Sequence, residues 1–169
     1  MHIIGQIFWI LAVWRWGDWR NWERYHSTML YMIAISLLYD VLSYQHTLWE
    51  FKDFWLPTHT WNSIVVTFIG FPCSVLIYLS RFPQNSIVKQ IRHIIYWILI
   101  YSAIELFFVS INLFDYHNGW NFGLSVLFNC VLFPMLLLHH KKPLLAYLLT
   151  VPIIFCFLII FDIPISKVK

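Results

Sequence analysis

Two carboxylates lie where a chain of this kind holds them least easily. Asp40 and Glu105 sit inside the apolar runs "MLYMIAISLLYDVL" and "IIYWILIYSAIELFFV", with no Lys or Arg mid-run beside either. An ionised carboxylate without a cationic partner is costly in a medium of low dielectric. Each acid must therefore be protonated, share a proton with the other, bond to Asn129, or hold a cation or a polar ligand. Asp40 is twelve positions beyond Thr28, and Glu105 is twelve beyond His93. At a rise of about 1.5 Å per residue, both stand about 18 Å from the same boundary. Equal depth predicts that they approach each other in one internal site with Asn129 near.

Polar neighbours recur at helical spacing. Ser36 and Ser43 share a face with Asp40, as Ser102 and Asn112 do with Glu105. Asn121, Ser125 and Asn129 form a third stripe, and Ser63, Thr67, Gly70 and Ser74 a fourth. The expected polar site is Asp40, Glu105 and Asn129 with Ser36, Ser43, Ser102 and Ser125. Such stripes serve a ligand, or they are glue that lets helices approach and hydrogen bond; the residues alone leave both open. No nucleophile–base pair, phosphate-binding Gly loop or H-E-x-x-H pattern occurs, so no catalytic residue is assigned. Cys73, Cys130 and Cys156 lie far apart. His46, His59 and His117 with Asp115 make only a weak outer metal set, and neither a metal nor a cofactor is expected.

These residues need helices to position them. The chain is 60% hydrophobic and 11% charged, where a soluble domain carries about 25% charged residues. Its solvent must be partly lipid. Six apolar segments, near 2–16, 28–46, 60–80, 93–113, 120–139 and 143–163, do not alternate as strands would. The expected fold is all-α: one domain over 1–169, a bundle of six transmembrane helices. The first segment is short and must borrow the following tryptophan-rich stretch to finish its crossing. No Lys or Arg precedes it, so it reads as an uncleaved helix.

That stretch, "WRWGDWRNWER", marks a boundary. Tryptophan rings prefer the membrane–water interface, and Arg and Lys are retained on the cytoplasmic side. Trp14, Arg15, Trp16, Trp19, Arg20, Trp22 and Arg24 therefore read as an inner interface that can also grip lipid headgroups. Asp18 is spaced to meet Arg15, and Glu23 to meet Arg20. Gly17 permits a bend. Odd-numbered connections carry eight Lys and Arg; Lys52, Lys167 and Lys169 oppose them, which places both termini outside. Trp49, Phe51, Phe54 and Trp55 give the second connection an interfacial character. No Lys/Arg-rich run exists, so nucleic acid is not an expected partner.

The segments "AVWRWGDWRNWERYHSTMLY", "LFDYHNGWN" and "FPMLLLHHKKPLLAY" resemble a family of small multi-span membrane proteins of unknown function in Bacillus and related spore-forming bacteria. The resemblance runs over most of the chain and implies a bacterial cell membrane location. It implies no reaction and no binding residues. Two functional readings follow from the residues. One is a structural or regulatory membrane protein acting on lipids, a second copy or a membrane partner. The other is a small transporter or channel-like protein with a proton, cation or polar-ligand site at Asp40 and Glu105. A lipid-acting enzyme fits less well, because most basic residues lie at the end away from the acids.

Overall fold

The computed structural model describes residues 2–52 and 59–163, with side chains over 5–52 and 60–163. The chain is mostly helical. Its helices are α1 (His2–Trp16), α2 (Glu23–Leu42), α3 (His59–Val65), α4 (Phe71–Ser80), α5 (Ile87–Ser110), α6 (Phe122–Lys141) and α7 (Pro143–Ile160). A π-helical segment, Val66–Gly70, joins α3 to α4 without a break. Four helical segments are long and apolar enough to cross a membrane: Thr60–Ser80, Ile87–Ser110, Phe122–Lys141 and Pro143–Ile160. α1 has 15 residues, about 22 Å at 1.5 Å each, and α2 carries Glu23, Arg24 and Asp40.

The chain passes back and forth between two ends of one bundle. α1 and α2 both pack on α4, and α6 contacts α2, α5 and α7. The core between them is aromatic and aliphatic, with Tyr78, Val75, Phe133 and Leu136 almost wholly enclosed. The outer faces are as apolar as the inside. Only 17% of the α7 span and 11% of the α5 span are buried, and Ile87, Leu144 and Ile159 stand open. Water does not tolerate that much contiguous apolar surface; lipid does.

The tryptophan-rich stretch does not lengthen α1, contrary to expectation. α1 stops at Trp16, a 3₁₀ turn spans Trp19–Asn21, and α2 starts at Glu23. Gly17 explains the stop: its N–H still bonds to the Val13 carbonyl at 2.8 Å, and a Cβ there would stand 2.8 Å from that same oxygen. The expected ion pairs are also absent among the described residues. Asp18 accepts instead from the Asn21 amide at 2.9 and 3.1 Å, a shorter and less entropically costly contact. Arg20 lies over the Trp19 ring, and Arg81 Nε donates to the Trp16 carbonyl at 2.8 Å, which ties this turn to the end of α4. We call this the arginine end.

The opposite end holds two short strands that an all-helical reading leaves out. β1 (Trp49–Phe51) and β2 (Phe114–Tyr116) pair antiparallel, with Trp49 opposite Tyr116, Glu50 opposite Asp115 and Phe51 opposite Phe114. Like charges directly opposite destabilise a ladder. Here the diagonals offset them: Lys52 pairs with Asp115, and His117 Nε2 lies 3.5 Å from Glu50. We call this the ribbon end. Phe54, Trp55, Lys167, Lys169 and the His59 side chain lie outside the described residues.

Candidate functional site

The ribbon forms over the bundle because the helices anchor it. The Tyr39 hydroxyl, near the end of α2, accepts from the N–H groups of Leu48 and Trp49 at 3.1 and 3.3 Å. The Tyr39 ring stacks on Trp49, with centroids 3.9 Å apart and planes 3° from parallel. Beneath β1 lie two cavities that share a wall. Met32, Val66, Phe71, Phe128 and Leu132 line both, as do Trp49 and Phe51 of the ribbon.

The smaller cavity, about 150 Å³, is the Asp40 side. Ser63 Oγ donates to Asp40 at 2.8 Å, and Ser36 meets Thr67 at 2.8 Å. These two contacts form the seam between α2 and the Thr60–Ser80 helical segment. The Ser63 contact gives Asp40 a structural task in this seam. Ser43 lines this cavity but spends its hydroxyl on the Tyr39 carbonyl at 2.7 Å.

The larger cavity, about 450 Å³, is the Glu105 side. Asn129 and Ser125 of α6 line it, and so does Gln6 of α1. Glu105 Oε1 accepts the Tyr116 hydroxyl at 2.5 Å, and Ser125 lines the same chamber. Ser125 is held in turn by Trp120 Nε1 at 2.8 Å. Burial first, and then Glu105, push the Tyr116 hydroxyl above its ordinary titration range, so Tyr116 remains a donor.

The two acids are thus divided between neighbouring cavities and do not line one. Glu105 takes Tyr116, where a shared site with Asp40 and Asn129 near was expected; of those two, Asn129 lines its cavity. Ser102 lines neither; it is buried with its hydroxyl unpartnered among the described residues. Asn112 and Asn121 leave the stripes for backbone work. Asn112 ends α5 with φ 57°, and Asn121 caps α6 by accepting from the Leu124 N–H at 3.1 Å. Around the outer histidines, Asp115 engages Lys52 and His117 faces Glu50.

Gln6 escaped the sequence reading. Its side chain is 7% exposed, and its Oε1 has no hydrogen-bond partner among the described residues. It reaches the cavity across Gly70, where a Cβ would come within 2.7 Å of Oε1. Gly70 closes the π-helical segment, a distortion that recurs at functional sites because it re-aims one turn of helix. Gln6 is the one amide in the first apolar segment, and that isolation was the available signal.

The tryptophan–arginine stretch is exposed as an interface requires. Trp14 is 70% exposed, and Trp16, Trp19 and Trp22 between 46% and 49%. It lies at the arginine end with Arg15, Arg20, Arg24, Arg81 and Lys141, away from the Glu105 cavity. Comparison with family models, with curated proteins and with solved structures finds no match to this chain.

Proposed function

We propose that this chain is a bacterial membrane protein that binds a small polar molecule in the Glu105 cavity, as the binding half of a transport or sensing device. The observation that carries the reading is a chamber of about 450 Å³ whose apolar wall is interrupted by Glu105, Ser125, Asn129 and Gln6. Chambers of about 300–1,000 Å³ with few polar groups in apolar walls are the usual form of small-molecule sites. A purely structural role for Glu105 needs no chamber beside it.

In this reading six helices cross the bilayer and both termini lie outside. Alternation of the chain and the gathering of basic residues at the arginine end support that orientation. The cavity then opens toward the outer surface under the ribbon. The exposed tryptophans and arginines set the inner boundary and hold anionic headgroups; the same surface also suits a second copy or a membrane partner. A lipid-acting enzyme is disfavoured, because the basic rim and Glu105 lie at opposite ends.

Thermal melting of the purified protein in nanodiscs tests the binding reading. The panel consists of small ammonium, neutral polar and carboxylate compounds. At least one class should raise the melting temperature of the wild type and leave Ser125→Trp, which fills the cavity, unchanged. A panel that does not separate the two proteins contradicts the reading. Sidedness is read by impermeant thiol labelling of Lys167→Cys and Asn85→Cys in a background without native cysteines. Label from outside should reach the first and not the second; the converse reverses the orientation.

A further inference from the structure

The wall chemistry of the Glu105 cavity narrows the guest to one class. We infer that the site takes a protonated organic amine with an apolar body; this rests on the binding reading above. Among the described residues Glu105 is the one lining residue that can carry a formal charge, with no Lys, Arg, His or Asp beside it in the wall. Any formal charge on the described wall is therefore negative. Eleven of the twenty-one lining residues are aromatic, among them Trp9, Trp49, Tyr101 and Trp120. Aromatic faces carry negative quadrupole density and attract cations, more strongly once water is excluded. An anionic guest meets both terms as repulsion.

The vacant hydrogen-bonding capacity points the same way. Glu105 is an acceptor already served at Oε1 by Tyr116, with lone pairs remaining on its carboxylate. The chamber thus calls for N–H donors, which an ammonium group supplies. A bare metal cation fits poorly. At about 30 Å³ per water, about 450 Å³ is the share of roughly fifteen waters, far more than one ion fills. Hard cations also take about six or more oxygen ligands, and no metal-holding cluster occurs among the described residues. An apolar body fills the remaining space against the rings, while the ammonium nitrogen lies against the Glu105 carboxylate.

Three probes with one body and different heads test this: 2-phenylethylammonium, 2-phenylethanol and phenylacetate. Equilibrium binding to the full-length protein in nanodiscs is measured for each, with empty nanodiscs as control. The ammonium should bind tightest and phenylacetate weakest. Glu105→Gln keeps an acceptor for Tyr116 and loses the charge. It should weaken ammonium binding by about tenfold to a hundredfold, the range of one charge-assisted contact, and leave the alcohol unchanged. Trp9→Leu, which removes one aromatic face of the chamber and leaves Glu105 intact, should weaken ammonium binding more than alcohol binding even where Glu105→Gln folds poorly. Equal binding of the three heads, or ammonium binding unmoved by both variants, overturns the inference while the binding reading stands. If none of the probes binds and the wider panel also fails to separate wild type from Ser125→Trp, the binding reading fails with it.

Discussion

Tyr116 donates its hydroxyl to Glu105 across 2.5 Å and so fastens the ribbon to the helix that carries this half-buried acid. Trp49, directly opposite Tyr116 on the ladder, stacks on Tyr39 of α2. The two contacts hold the ribbon from both sides of the bundle and make it the roof of both cavities. Tyr116→Phe removes the donor and leaves the ring. We expect a loss of about 1.5–3 kcal/mol, the usual range for a hydrogen bond to a charged group. The double variant with Glu105→Gln should be less harmful than the two single losses added together, since both act on one bond. Melting temperatures of the four proteins in nanodiscs check this; strict additivity would mean that the two side chains act independently.

Two glycines should respond differently to the same added methyl group. At Gly17 a Cβ meets the Val13 carbonyl oxygen at 2.8 Å, and backbone cannot step aside. Gly17→Ala should destabilise by about 1–3 kcal/mol, as overpacking does. At Gly70 the Cβ meets Gln6 Oε1 at 2.7 Å, the far end of a side chain that can turn. Gly70→Ala should cost less stability but displace Gln6 and weaken binding in the cavity. The melting temperature and the affinity of one probe, measured on both variants, should move in opposite order.

The ribbon should loosen in alkali. The hydrogen bond from Lys52 to Asp115 raises the Lys52 pKa above its ordinary 10.5. The folded chain therefore holds that proton more tightly than the unfolded one. The stabilisation is complete below about 10.5 and is lost as pH rises through the higher folded value. Proteolytic nicking within the ribbon should increase across that range in the wild type, and Lys52→Met should show the nicking already at neutral pH. Equal nicking of the two proteins at neutral pH would show that the pair does not hold the ribbon.

Much of the bundle was legible because apolar runs of span length have few other solutions. The expected segments 60–80 and 143–163 match helical spans at Thr60–Ser80 and Pro143–Ile160 closely. The misses lie at ends. α5 starts at Ile87, not near His93, because Lys89 and Arg92 mark the edge of the apolar run and a helix crosses that edge freely. The ribbon had a signal: "WEF" and "FDY" both alternate aromatic, acid, aromatic, the period-2 pattern of a strand. Apolar segments on either side masked it. The site was legible in its residue types and not in its pairing. Depth along a helix constrains one coordinate, and the direction around the axis depends on which neighbour each helix packs against. That is why Asp40 found Ser63 while Glu105, at the same depth, found Tyr116 in the next cavity. Gln6 comes to the Glu105 cavity from nearly one hundred positions away, beyond the reach of any local spacing.

Access of a small polar reagent to Ser125 tests the central claim most directly. Ser125→Cys is made with Cys73, Cys130 and Cys156 replaced by Ala, the three native thiols all being free. Ser102→Cys in the same background serves as control, since Ser102 is equally buried but lines neither cavity. If the Glu105 chamber admits small molecules, 2-aminoethyl methanethiosulfonate should modify Ser125→Cys in intact membranes and leave Ser102→Cys unmodified, and 2-phenylethylammonium should slow the first reaction. Equal resistance of both variants would show a closed core with no site in it and would contradict the account.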